Sequence, residues 1–334
     1  PVTQLFTEPY MVSFLLDNAL GAWWAKRRLT SDDLQTATSE QELRELAAIP
    51  GVPLEYLRFV QNEETCAHSG EKVKRWSSAA GDFDKWPEEL SELKTLDPCC
   101  GSGHFLVAKF LMLVPMRMQL EALTAKQAID KVIAENIHGL ELDQRCVELA
   151  AFALALEAWR YPGAGGYRQL PELQLACSGM SINEAQKEWK DLAKGDEELQ
   201  DAIKWMQQTF KDAPTLGSLI EPVKSFPNLE FPWEVIQRKI GKEISISDTS
   251  VIANGILKSV ELLSSSYALV VTNVPYLGRG SQVTSLMKYC ENNFTSGKND
   301  LAYSMYQRLT TLCSAKGNIL TVWPQAWLFQ PSLK

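Results

Sequence analysis

The sequence lacks any apolar run long enough to span a bilayer, and its N-terminus lacks the pattern of a secretion signal. Hydrophobic residues make up 45% and charged residues 22% of its 334 residues, values that are typical of soluble globular proteins. The opening stretch "PVTQLFTEPYMVSF" contains no basic segment followed by an apolar core. We therefore expect a cytoplasmic protein that does not interact with a membrane.

The sequence also lacks an excess of basic residues. Its formal net charge is -8, whereas proteins that wrap duplex nucleic acid use clustered Lys and Arg to displace counterions. If the partner is nucleic acid, we expect another region to hold most of its backbone.

Paired metal-ligand spacing is missing as well. Cys66 with His68, and Cys100 with His104, do not form the CxxC or HxxxH pairs that a tetrahedral zinc site requires, so we predict no metal site. The seven cysteines are odd in number, which favours a reducing compartment over a disulfide framework.

The dinucleotide fingerprint GxGxxG is incomplete in the stretch "LDPCCGSGHF". Gly101, Ser102 and Gly103 lie between a predicted strand and a predicted helix, where glycines let a ligand approach the backbone and the helix N-terminus. Leu106 occupies the position of the third glycine, which disfavours a nicotinamide cofactor. Taken alone, the GSG stretch is equally compatible with a simple tight turn.

Short apolar strands alternate with helices along much of the chain, and this order predicts a parallel sheet covered on both faces. We expect strands that end near Leu96 and Leu142, followed by strands in "LPELQLACSG", "SYALVVT" and "GNILTV". The predicted regions are a helical N-terminal region at 1–92, a core at 93–180 and 263–334, and a helical insert at 181–262. Within the insert, one helix face is formed by Leu199, Ile203, Met206 and Phe210.

An acidic residue follows the second predicted strand. Glu141 in "GLELD" lies where a carboxylate can accept hydrogen bonds from two ribose hydroxyls, and Asp143 is expected to cap the following helix. Together with Asp97 near the glycine loop, these carboxylates favour a ligand that has both positive charge and a ribose. S-adenosylmethionine (SAM) has this character.

Four stretches of the sequence resemble the motifs of one methyltransferase class, and they follow one another along the chain in the order of that class. "DPCCGSGHFL" is similar to motif I, "GLELD" to motif II and "TNVPY" to the catalytic motif IV, while "FTEPYMVSFLLDNALG" resembles the motif that precedes motif I. The chain therefore resembles gamma-class, N6-adenine DNA methyltransferases of bacterial defence systems, among them the PglX proteins of BREX systems and type IIG restriction-modification enzymes. The resemblance implies an α/β, Rossmann-like SAM-dependent methyltransferase sheet.

The resemblance also implies roles for individual residues. Thr7 would contact the methionine end of SAM. The other cofactor residues would be Asp97, Pro98, Gly101, Ser102, Gly103, Glu141 and Leu142, with Cys177 and Ser178 at the motif III position where the family usually has an acidic residue. The catalytic loop would be Asn273, Val274, Pro275 and Tyr276, with Val274 in place of the family's first proline. In this mechanism the Asn273 side-chain oxygen and a main-chain carbonyl accept the hydrogens of the target amine, and Tyr276 stacks on the extruded base.

The expected function is SAM-dependent methylation of adenine N6 in DNA, within a restriction-modification or phage-defence system. We expect the chain to be part of a larger protein whose target-recognition domain follows residue 334. Its partners would be double-stranded DNA, bound largely through regions outside this chain, and proteins of the defence system. Two alternatives stay open: a protein glutamine-amide N-methyltransferase, and a catalytically degenerate SAM-binding subunit.

Overall fold

The structure is a computed structural model that describes residues 7–65, 72–181, 193–222, 235 and 248–323. The pair Cys66 and His68, parts of the predicted insert, and residues 324–334 of the predicted core lie outside the described residues. Within the described ranges, no helix is long and apolar enough to cross a membrane.

The N-terminal region contains helices and one β-hairpin. The helices are α1 (Pro9–Leu16), α2 (Ala22–Arg28), α3 (Ser31–Thr36) and α4 (Glu40–Ala47), and a π-helical turn at Asp17–Gly21 joins the first two. The hairpin pairs β1 (Phe59–Thr65) with β2 (Lys72–Ser78) in antiparallel register. The prediction of a helical region over 1–92 did not include this hairpin. Its strands are polar because one face is largely solvated, so they lack the apolar runs that mark the core strands.

The central sheet contains five parallel strands in the order β5-β4-β3-β6-β7. The strands are β3 (Thr95–Asp97), β4 (Ile137–Glu141), β5 (Gln174–Cys177), β6 (Tyr267–Thr272) and β7 (Cys313–Thr321). The predicted α/β class and parallel sheet are therefore confirmed, with the first two strand ends shifted by one residue from Leu96 and Leu142.

The remaining helices connect and cover these strands. They are α5 (His104–Leu120), α6 (Ala125–Lys131), α7 (Gln144–Arg160), α8 (Glu197–Phe210), α9 (Ala213–Leu216), α10 (Asp248–Ser264), α11 (Thr284–Asn293) and α12 (Leu301–Leu312). Short turns of 3-10 or π helix lie at Leu90–Glu92, Val132–Asn136, Gly217–Leu219 and Arg279–Ser281.

Each face of the sheet is covered by its own apolar core. Successive residues of β6 alternate between them: Leu269 and Val271 pack with the N-terminal helices and with α5, α6 and α7, while Val270 packs with α8, α10 and α12. This alternation is the period-two pattern of a strand that is buried on both faces.

The predicted insert supplies part of the second core. Leu199, Ile203, Met206 and Phe210 are buried, which confirms the predicted apolar face of α8. These residues share a core with Leu96 of the sheet, and α10 packs directly on β4 and β5. The predicted boundaries at 181 and 262 therefore divide residues that pack in one core. The apolar face of α8 is buried in the core that covers this face of the sheet, although α8 and the sheet lie in different predicted regions.

Strand order determines where a ligand can bind. In chain order, β3, β4 and β5 follow one another toward one edge of the sheet, whereas β6 lies on the other side of β3. In sheets of this kind, ligands bind in the crevice at the carboxyl ends of the strands, where the order reverses. Asp97, Glu141, Cys177 and Asn273 all lie at or just after strand ends on this edge.

We predict that Trp24→Ala lowers the free energy of unfolding by ~3–5 kcal/mol, because Trp24 is fully buried and its indole nitrogen donates to the Ala47 carbonyl oxygen at 2.9 Å. Urea denaturation would measure the loss. The matched control is Phe152→Ala, since Phe152 is 60% exposed. Equal losses for the two variants would contradict the assignment of the N-terminal helices to the core.

Candidate active site

The glycine loop joins β3 to α5 through two left-handed residues. Gly101 has a φ of 51° and Gly103 a φ of 93°, values that L-residues with side chains rarely adopt. The loop is fixed to the neighbouring strand, because the Cys100 amide donates to the Leu140 carbonyl oxygen at 2.9 Å. Gly103 is the N-cap of α5, so the first amides of that helix face the crevice.

The two glycines have different surroundings. A Cβ on Gly103 would lie 3.1 Å from both Cα and Cβ of Ala150 in α7, whereas a Cβ on Gly101 would meet no atom within 4 Å. Gly103 therefore allows α5 and α7 to pack closely. Gly101 borders open space at the strand edge, where a ligand could approach the backbone.

Glu141 links the end of β4 to the glycine loop. One carboxylate oxygen accepts from the Gly101 amide at 2.8 Å, and the other accepts from the Leu142 amide at 2.8 Å. The oxygen that accepts from Leu142 also accepts from the Asp143 amide at 3.3 Å. A carboxylate has about four acceptor positions, so these three bonds leave capacity for one ribose hydroxyl. The main-chain amides also fix its orientation at the crevice.

Asp97 is a buried carboxyl at the end of β3, 1% exposed, and it accepts from the Cys99 amide at 3.1 Å. Burial raises the pKa of Asp97 to about 6, and the positive charge of Lys109 opposes that rise. Lys109 itself is fully buried in α5, and burial lowers its pKa to about 8. Both groups are thus charged at neutral pH.

Sequence reasoning missed Lys109. Within the described residues its ammonium nitrogen has no hydrogen-bond partner. A single lysine in the apolar helix "HFLVAKFLMLV" was the available signal, because a lysine is almost never fully buried without an opposite charge nearby.

A cavity of about 460 Å³ lies beyond the ends of β4 and β5, within the size range of small-molecule sites. It is lined by Leu142, Asp143, Gln144, Cys177, Gly179, Met180, Ser181 and Pro214. Leu142 and Cys177, both predicted from sequence, therefore lie at the cavity. Asp143 is the N-cap of α7, as predicted, and it is also the carboxylate among the lining residues.

Ser178 follows β5 directly and is bonded to the end of β4. Its amide and its hydroxyl both donate to the Glu141 carbonyl oxygen, at 2.7 and 3.1 Å. Its hydroxyl lies 3.3 Å from that of Ser218, which donates to the Pro98 carbonyl oxygen at 2.6 Å. Ser218 was missed from the sequence because it lies in the predicted insert, far along the chain from the glycine loop.

The predicted catalytic loop follows β6 directly. The Tyr276 hydroxyl lies 3.2 Å from the Asn273 side-chain oxygen and 2.6 Å from the Val322 carbonyl oxygen, just after β7. The Val274 side chain is 1% exposed and packs in the second core. Pro275 and Tyr276 are half-buried, and burial raises the pKa of the Tyr276 hydroxyl.

Thr7 is brought to this loop from the other end of the chain. Its hydroxyl oxygen accepts from the Asn273 side-chain nitrogen at 3.1 Å. The structure thus gathers Thr7, Asp97, Glu141, Cys177 and Asn273 at one edge of the sheet. Ser102 lies at the half-exposed tip of the glycine loop, with its hydroxyl 3.4 Å from Nδ1 of His104.

We predict that Gly103→Ala lowers the melting temperature more than Gly101→Ala does. Both substitutions place a side chain at a positive φ, but the methyl group at Gly103 would also press against Ala150. The Gly101 variant should fold and instead block approach to the backbone. Scanning calorimetry measures the two melting temperatures, and a larger drop for Gly101→Ala would contradict the close packing of α5 on α7.

Two bacterial relatives match the chain along nearly its whole length. The "Adenine-specific methyltransferase PglX" of Lacticaseibacillus casei (strain Zhang) is 24% identical over 345 residues, covering 100% of this chain and 26% of the relative. The "Adenine-specific methyltransferase BrxX" of Escherichia coli O9:H4 (strain HS) is 24% identical over 353 residues, covering 99% of this chain and 27% of the relative. The chain thus spans about a quarter of the length of these relatives.

A third relative matches over a shorter stretch. The "Adenine-specific methyltransferase PglX" of Streptomyces coelicolor (strain ATCC BAA-471 / A3(2) / M145) is 28% identical over 140 residues, covering 39% of this chain and 11% of the relative. The model of the DNA-methyltransferase domain of MmeI matches residues 73–306, well over half of the chain. The chain therefore belongs to the family of MmeI-type DNA-methyltransferase domains, in agreement with the motifs at the edge of its sheet.

Proposed function

We propose that the protein methylates the N6 amino group of adenine in DNA, with SAM as methyl donor, in a restriction-modification or phage-defence system. The family match and the names of the three relatives support this reaction. The observation on which the proposal rests is the position of Asn273 and Tyr276. They follow β6, which pairs directly with the strand that ends at Asp97.

The described residues fit SAM. Glu141 has acceptor capacity for the ribose. The cavity beside Leu142 and Cys177 is large enough for an adenine ring, and its lining combines apolar side chains with polar ones that can donate or accept hydrogen bonds. The space over Gly101 is open, and Asp97 would supply negative charge for the positively charged groups of SAM. When bound, SAM supplies a methyl group on a positively charged sulfur.

The task of the catalytic loop is to make an aromatic amine nucleophilic. The lone pair of adenine N6 is delocalised into the ring. If both amine hydrogens are held by fixed acceptors, the nitrogen becomes more tetrahedral and its lone pair can point at the methyl group. The Asn273 side-chain oxygen and the Val274 carbonyl oxygen are the proposed acceptors, so catalysis depends on positioned electrostatics rather than on a strong base.

The family's loop has a proline at the position of Val274, and the ring of a proline restricts the backbone angle φ. Here the Val274 side chain is buried in the second core. Burial of an apolar side chain holds the backbone at this point, and the main-chain carbonyl is unchanged by the replacement. We therefore propose that the loop of this protein is catalytically competent rather than degenerate.

Tyr276 is the proposed stacking partner of the target base. The base has to leave the duplex to reach the loop, and stacking on an aromatic ring recovers roughly 1–3 kcal/mol per base. The hydroxyl of Tyr276 is held by the Val322 carbonyl oxygen, which fixes the orientation of the ring.

Among the described residues near the loop, few basic side chains are available to contact phosphate. Arg279 is paired with Glu291, while Lys298 is exposed. The net charge of -8 also opposes binding to a polyanion. We therefore propose that most contacts with double-stranded DNA, and any contacts with partner proteins of a defence system, are made by regions beyond this chain in a protein as long as its relatives.

A glutamine-amide methyltransferase would use the same loop chemistry on a protein substrate. The match to a DNA-methyltransferase domain and the relatives named for adenine specificity favour DNA. No contact within the described residues favours the protein substrate.

We predict that Asn273→Ala reduces methyl transfer on the order of 100-fold or more, because one of the two amine acceptors is lost. The assay uses the intact gene product and follows label from SAM into long unmethylated DNA. In parallel, it follows label into a release factor, the test substrate for glutamine-amide methylation. SAM affinity measured by calorimetry should stay near the wild-type value. An Asn273→Ala protein as active as wild type would remove the catalytic role, and label in protein alone would replace DNA with the alternative substrate.

We predict that SAM affinity falls as the pH drops below about 6. Burial raises the pKa of Asp97 to about 6 in the protein without ligand. Because a cation binds better to the ionised carboxylate, protonation at lower pH weakens binding by up to about tenfold per pH unit for a single proton. Calorimetry between pH 5 and pH 7.5 measures this slope. Asp97→Asn should bind weakly with a flat profile, and a wild-type profile equally flat would contradict the role of Asp97.

A further inference from the structure

The contact between Thr7 and Asn273 joins residues that are 266 positions apart in the chain. Thr7 precedes α1, which packs on α5, and Asn273 follows β6. The hydroxyl oxygen of Thr7 and the side-chain nitrogen of Asn273 are 3.1 Å apart, a normal hydrogen-bond distance. The contact therefore holds the N-terminal segment against the catalytic loop.

The side-chain amide of Asn273 has two unlike ends. Its oxygen can accept a hydrogen from the target amine, whereas its NH2 group can only donate and would oppose that amine. A rotation of about 180° at the end of the side chain exchanges the two ends with little change in shape. A neighbouring oxygen that accepts a hydrogen from the NH2 end therefore favours the orientation in which the amide oxygen faces the target amine.

Tyr276 is poorly suited to this task. Its hydroxyl has a single hydrogen, and the Val322 carbonyl oxygen, at 2.6 Å, is a closer acceptor than the Asn273 oxygen, at 3.2 Å. The longer contact, in which Tyr276 donates to the Asn273 oxygen, is therefore the weaker of the two and contributes less to the orientation of the amide.

We propose that Thr7 is a positioning residue for methyl transfer: its hydroxyl oxygen accepts a hydrogen from the Asn273 side-chain nitrogen and so directs the Asn273 oxygen toward the target amine. The inference rests on the proposed function and adds a second role for Thr7. The family resemblance places this residue at the methionine end of SAM, where it would affect cofactor binding. Orientation of Asn273 instead affects the rate of the methyl-transfer step.

The two roles predict different results for Thr7→Val, which keeps the shape of the side chain and removes the acceptor. If Thr7 orients Asn273, the single-turnover rate of methyl transfer to long unmethylated DNA falls about tenfold, while SAM affinity by calorimetry stays close to wild type. Thr7→Ser, which keeps the hydroxyl, should restore most of the rate. All variants are made in the intact gene product, and their melting temperatures are compared with that of the wild type.

A double-mutant cycle with Asn273→Asp separates orientation from general support of the fold. The two oxygens of a carboxylate are equivalent, so an aspartate presents an acceptor to the amine in either orientation. Adding Thr7→Val to Asn273→Asp should therefore cost less than twofold, against about tenfold in the wild-type background.

Several results would overturn the inference. These are an unchanged rate for Thr7→Val, a tenfold loss of SAM affinity with an unchanged rate at saturating SAM, or the same loss of rate in both backgrounds. A wild-type protein that transfers no methyl group to DNA would refute the proposed function itself, which is a separate outcome.

Discussion

Parallel pairing of β3 with both β4 and β6 is the constraint on which the candidate site depends. Thr95 is in register with Ile137 on one side and with Leu269 on the other. Because the strands run in the same direction, their carboxyl ends meet at one edge, and residues far apart in sequence become neighbours there. Asp97, Glu141 and Asn273 each occupy such an end, so their proximity follows from strand order and register.

Charge at this edge is compatible with a cationic cofactor. Asp97 is buried near Lys109, and Glu141 is held by main-chain amides of the glycine loop and of its own strand end. Lys109 is fully buried within the apolar helix α5. It offsets the cost of burying Asp97, since an isolated buried carboxylate would become protonated. Asp97 can thus stay ionised at neutral pH.

Much of the fold could be predicted from the sequence, because the core strands are short apolar runs followed by helices and each ends in a polar loop. The hairpin β1–β2 could not, since its residues are polar and its pairing depends on tertiary contacts such as the bond from the Trp76 indole to the Ala37 carbonyl oxygen. The motif residues could be located from their local spacing. Ser218 and the bond from Asn273 to Thr7 could not, because nothing local in a sequence records contacts between distant segments.

The most direct test of the account uses deuterated-methyl SAM, long unmethylated DNA and the intact gene product, followed by mass spectrometry of the released nucleosides. We expect the heavy methyl group on adenine N6, and we expect it to be lost when Asn273 is replaced by alanine. Label found on cytosine or only in protein, or on adenine to the same extent after that replacement, would contradict this expectation.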